Sequence, residues 1–71
     1  MSLHVRAPMP GSIAELLVNV GDRVRRADEL IILEAMKMEN PILAPADGVV
    51  KEIRVKLKDA VEMDQVLPVS E

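Results

Sequence analysis

The sequence predicts an all-β fold, a flattened eight-stranded barrel or sandwich of two four-stranded antiparallel sheets related by a pseudo-two-fold axis. Three observations carry this. Shifted by 37 positions, Ala7 to Glu34 lies over Ala44 to Glu71 without a gap, and nine of the 28 pairs are identical. Within the second copy, Ile53, Val55 and Leu57 alternate with Glu52, Arg54 and Lys56, the period of a half-buried strand. Finally, the apolar run Leu30-Ile31-Ile32-Leu33 has as its copy Leu67-Pro68-Val69-Ser70. Proline in a helix interior costs about 3 kcal/mol but is tolerated at a sheet edge, so strand is the conformation both copies allow.

Taken in order, the elements fall near residues 3–6, 12–20, 22–25 and 29–35, then 38–43, 49–57, 59–62 and 66–70. Two of these segments favour helix when read alone. Ser12 to Glu15 has the spacing of a capping box, and Ala27 to Met38 is rich in helix formers. Their copies decide against it. In register with Ile53, Val55 and Leu57, the residues Leu16, Val18 and Val20 are expected to face inward, with Glu15 and Asn19 outward and Leu17 as the exception. Pro8-Met9-Pro10-Gly11 and Pro45-Ala46-Asp47-Gly48 are equivalent loops, each ending in a glycine suited to an unusual backbone angle. Asn19 to Asp22 and Lys56 to Asp59 are matching turns in which Lys58 replaces Gly21, so the second turn either avoids a positive φ or bears strain.

Residues 1–71 read as one domain, near the size at which a single core just suffices. With no Cys, Trp, Tyr or Phe, the core is aliphatic and neither disulfides nor zinc thiolates brace it. A net charge of −3 and the lack of aromatic stacking platforms argue against a nucleic-acid partner. No run approaches the roughly 18 apolar residues that span a bilayer, and no signal peptide is visible, so no membrane partner is expected. The expected location is the cytoplasm, or the mitochondrial matrix if the chain is cut from a larger enzyme. With His4 as the only histidine, no catalytic triad can form, and no glycine loop for phosphate is present; catalytic residues are expected to be none.

Lys37 lies in neither copy but on the join between them, within Glu34-Ala35-Met36-Lys37-Met38-Glu39. A solvated surface lysine is the plain alternative to a lysine displayed for chemistry, and the midpoint position favours display. The repeat carries the start of the chain to the region of Lys37, and Lys37 to the region past Glu71. The termini are therefore expected at the pole away from the lysine. Met36 and Met38 are either gap-filling core residues or an apolar collar beside the lysine. A Cu(I) site would want further soft ligands, and no metal is expected. Glu34 and Glu39 read as solvated strand-end carboxylates, and Arg23-Val24-Arg25-Arg26 as a solvated turn or a docking element.

Ala35-Met36-Lys37-Met38, with a glutamate on either side, resembles the biotin attachment site of biotinyl (biotin carboxyl carrier) domains of the biotin/lipoyl attachment family. The resemblance extends through Pro8-Met9-Pro10-Gly11, Gly21-Asp22-Arg23-Val24 and Ala44-Pro45-Ala46-Asp47-Gly48, essentially the whole chain. It implies a barrel-sandwich hybrid with Lys37 at a hairpin tip, and a tight turn with Met36 and Lys37 as its central residues. Such turns favour φ > 0 at both positions. It also implies biotin linked as an amide to Lys37, with Ala35, Met36 and Met38 read by a biotin protein ligase. A biotin carboxylase and a carboxyltransferase are the implied further partners, and the domain itself is not an enzyme. A lipoyl domain, similar in fold, and an unmodified β interaction module are the alternatives. Departures from the family pattern are Lys58, Ala27 and Asp64, which stand where glycine is frequent.

Overall fold

The internal repeat can be followed strand by strand. A computed structural model describes residues 2–71. Its strands are β1 (Leu3–Arg6), β2 (Gly11–Leu16), β3 (Arg23–Val24), β4 (Glu29–Ala35), β5 (Met38–Leu43), β6 (Gly48–Ile53), β7 (Ala60–Val61) and β8 (Val66–Ser70). One antiparallel sheet has the order β1-β8-β6-β3 and the other β5-β4-β2-β7. Exchanging each strand with its copy four places along turns one order into the other. The expected all-β sandwich of two four-stranded sheets is the observed fold.

The repeat also holds at the level of single hydrogen bonds. Gly21 N–H donates to Val50 O at 2.8 Å, and its copy Lys58 N–H donates to Ile13 O at 2.7 Å. Ala27 N–H reaches Ala44 O at 2.8 Å, as Asp64 N–H reaches Ala7 O at 2.8 Å. The Asp22 carboxylate accepts from Asn19 N–H and the Asp59 carboxylate from Lys56 N–H, both at 2.8 Å. These Asx-type bonds close each turn with the side chain that the two copies share. Ile13, Leu30, Ile31, Leu33, Val50 and Leu67 are fully buried between the sheets, so γ-branched and β-branched side chains fill the place of aromatic ones.

Four expectations change. The strands expected over 12–20 and 49–57 stop at Leu16 and Ile53. Register shifts between Ile13 and Glu15, and between Val50 and Glu52, insert an extra residue, which carries the inward face from Ile13 and Val50 to Val18, Ile53 and Val55. Val18, Ile53 and Val55 pack on the core as expected, whereas Leu16 at the end of β2, and Val20 and Leu57 beyond the strand ends, are exposed. Pro68 is not at an edge, because β8 lies between β1 and β6. The β1–β8 register steps from His4↔Val69 to Arg6↔Val66, passing over Leu67 and Pro68, so the missing N–H falls where the ladder is irregular. Gly11 and Gly48 do not adopt positive φ. They are needed for space, since a Cβ on Gly11 would collide with Glu34 O and one on Gly48 would lie 2.7 Å from Glu71 O. The Lys58 turn bears the strain, with φ 71°.

Candidate functional site

Strands β4 and β5 form the longest ladder, and its rungs run without a break from Ile31↔Ile42 to Ala35↔Met38. Only Met36 and Lys37 remain for the turn, with φ of 54° and 63°. This is the two-residue turn with left-handed backbone at both positions that the motif implied. Neither residue is Gly or Asn, so each holds a conformation costing roughly 1–2 kcal/mol. The twist of the flanking strands imposes it: Leu33 and Ala35 are buried in the core, which anchors β4 up to its last residue.

Burial separates the four motif residues. Ala35 is buried at the hairpin base, where it faces Gly11. Met36 and Met38 are 89% and 66% exposed, so neither fills a gap in the core. Lys37 is exposed and, among the described residues, makes no ion pair or side-chain hydrogen bond. Glu34 and Glu39 are exposed and directly opposed across the ladder, a like-charge pairing unfavourable for the hairpin itself. Asn40, which the sequence reading passed over, extends its amide toward Met38 O at 3.3 Å and Leu33 O at 3.5 Å. A partly buried Asn inside a strand was the signal for it.

The turn Glu62 to Gln65 also belongs to the hairpin end of the molecule. Val61 pairs with Gly11, and Gly11 abuts the backbone of Glu34. Met63, distant from Lys37 in sequence, is thus an exposed methionine at the same end. From Gln65, β8 runs back along the body to Ser70, which pairs with Leu3 and Val50. Glu71 exchanges both backbone hydrogen bonds with Val49, and Ser2 Oγ lies 3.5 Å from a Glu71 carboxylate oxygen. The two ends of the chain therefore meet one strand length away from the hairpin base, on a body measuring 31 × 17 × 17 Å. Arg23, Arg25 and Arg26 lie toward that far end, where Val24 pairs with Gly48. Among the described residues, no three His, Cys, Asp or Glu side chains gather to hold a metal ion.

What this arrangement offers is a primary amine on a rigid stalk, free of partners, with apolar side chains on either side. Comparison with known proteins gives the family. The model of the biotin/lipoyl family described as "Biotin-requiring enzyme" matches residues 3–69. A "Biotinylated protein TB7.3 homolog" of Mycobacterium leprae is 36% identical over 69 residues, 97% of each chain. Pyruvate carboxylase of Staphylococcus aureus is 45% identical over 64 residues, 90% of this chain but 6% of that enzyme. The biotin carboxyl carrier protein of Streptococcus mutans is 59% identical over 49 residues, 69% of this chain and 38% of that one. Among solved structures, urea carboxylase of Kluyveromyces lactis superposes with a TM-score of 0.95 at 31% identity, over all of this chain and 6% of that one. The chain thus spans a small fraction of the carboxylases it matches. It belongs to the biotin/lipoyl family of biotin-requiring enzymes and has the make-up of the biotin carrier domain of biotin-dependent carboxylases.

Proposed function

We propose that Lys37 is the point of biotin attachment, and that the chain is a non-catalytic carrier moving a carboxyl group from a biotin carboxylase to a carboxyltransferase. The observation that carries this reading is the tip itself, a two-residue turn strained at Met36 and Lys37 with both side chains in solvent. A fold that keeps a locally unfavourable residue pair where Asn-Gly would be easier is keeping it for its chemistry. Attachment replaces one N–H bond of the Lys37 amine by an amide to the biotin carboxyl, with a biotin protein ligase using ATP to drive the condensation. The bound group supplies the carboxyl-carrying chemistry; this chain supplies display, reach and a raised local concentration at two active sites. Exposed Met36 and Met38, with Ala35 fixing the base, are the surface that the ligase reads.

Co-expression with a biotin protein ligase is expected to add one biotin mass to the intact chain, mapped to the peptide containing Lys37. Lys37→Arg keeps the charge and the turn but offers no amine for amide formation. It should abolish avidin-detectable labelling while leaving the circular dichroism spectrum unchanged. Labelling that persists in this variant would place the site elsewhere, and a lipoyl mass in place of biotin would make the chain a lipoyl carrier.

A further inference from the structure

The duplication supplies an internal control, because a side chain required by the fold should recur in both copies. Arg23, Arg25 and Arg26 do not recur; their copies are Ala60, Glu62 and Met63. Yet the two turns are built alike. Arg25 N–H donates to Asp28 Oδ2 at 2.8 Å, as Glu62 N–H donates to Gln65 Oε1 at 3.0 Å. The backbone of the turn therefore does not call for arginine.

These arginines line and flank an open groove floored by Val24, Gly48 and Val49. Asp28 and Asp47 also line it, but each carboxylate accepts a backbone N–H of the turn, from Arg25 and Arg26 respectively, at 2.8 Å. Among the described residues the one ion pair is Arg54–Glu52, so none of the three guanidiniums is held in an ion pair; three guanidiniums against the two carboxylates of Asp28 and Asp47 leave the groove a net charge of +1. The groove also borders β3, an edge strand of two residues.

We propose that this groove is a docking site for an extended acidic segment of a partner protein, laid against the β3 edge with its carboxylates on Arg23, Arg25 and Arg26. Strand addition gives such a segment backbone partners, and the guanidinium forks give it a sign. Identifying the partner as a carboxylase protein rests on the carrier reading; the binding chemistry does not. Because the groove lies at the end of the chain termini, a docked carrier keeps Lys37 free.

The test is a titration of the isotopically labelled 71-residue chain with a capped peptide of alternating glutamate and valine, followed by amide NMR shifts. Shifts are expected at residues 23–28 and 47–49, weakening as salt is raised. A lysine–valine peptide should leave those amides unmoved. Arg25→Glu with Arg26→Glu should weaken binding at least roughly tenfold. Arg23→Gln with Arg25→Gln, which leaves the backbone bonds of the turn intact, should weaken it by less. Shifts spread equally over Lys51, Lys56 and Lys58, shifts that survive charge reversal, or no shifts at all would overturn the proposal. Ligase labelling of Lys37 on the same variants should not change. Failure of labelling in the unaltered chain would count against the carrier reading and leave the groove measurement standing.

Discussion

Lys58 holds φ 71° in a turn whose copy uses Gly21 at φ 96° and makes the same backbone bond. A left-handed non-glycine residue costs roughly 1–2 kcal/mol, and glycine loses roughly 0.5–1 kcal/mol more entropy on folding. Lys58→Gly should therefore stabilise the chain by about 0.5–1 kcal/mol, which raises Tm by a few degrees in a domain this small. Gly21→Ala should lower it by a comparable amount, purely through the backbone, since nothing lies within 4 Å of the added Cβ. Calorimetric melts of the two variants check both signs. Ala27 and Asp64, also paired by the repeat, have φ of 74° and 68°. Asp64→Gly should gain less than Ala27→Gly, because Asp tolerates this region better. At this scale the sequence was informative through its mismatches: Gly21 marked the conformation, and Lys58 inherited it from the fold. For Gly11 and Gly48, composition could not separate a demand for φ from a demand for space, which depends on which carbonyl crosses overhead.

Among the elements, the hairpin of β4 and β5 was the most legible and the β2 and β6 strands the least. The hairpin's first strand follows from the run Leu30 to Leu33 once the repeat excludes helix, and its two-residue turn from the resemblance carried by Ala35-Met36-Lys37-Met38. In β2 the bulge after Ile13 shifts the inward face by one residue and the strand stops at Leu16, so Leu16 and Val20 are exposed although Val18 packs on the core. A bulge answers to the neighbouring strand, and nothing local announces it. The close approach of Gly11 to β4 makes a test of how the hairpin is held. A Cβ at Gly11 would collide with the Glu34 carbonyl, at the base of the strained tip and amid rigid strands. A Cβ at Gly48 would meet the Glu71 carbonyl less closely, at 2.7 Å. Gly11→Ala should destabilise by about 1–3 kcal/mol, as overpacking does. It should also slow biotin incorporation, because β4 must shift and carry the turn with it. Gly48→Ala should cost less and leave incorporation unchanged. Equal losses of labelling in the two variants would mean that Gly11 does not govern the tip.

For the whole molecule, the duplication fixes where the reactive end stands relative to the points of attachment. The strand β8 links the turn beside the hairpin base to the paired chain ends, and its five residues cover roughly 17 Å at the usual rise. The hairpin turn extends beyond that base, and the body is 31 Å along its longest axis and 17 Å across. A folded protein of about 100 residues has a radius of gyration of about 13 Å. Joined to either terminus through a short flexible linker, such a partner is tethered beside Arg23 to Arg26, at the pole away from the tip. Biotin incorporation at Lys37 should then proceed within about twofold of the unfused rate, whichever terminus carries the fusion, because the two-residue turn and the rigid ladder beneath it are untouched. The measurement is the initial rate of labelling by a biotin protein ligase at limiting enzyme, compared between N-terminal and C-terminal fusions. A loss of tenfold or more from one fusion and not the other would show that the linker path, and not the shared pole, decides access. Loss from both would place the ends of the chain and the lysine at the same end of the body, contrary to the strand order.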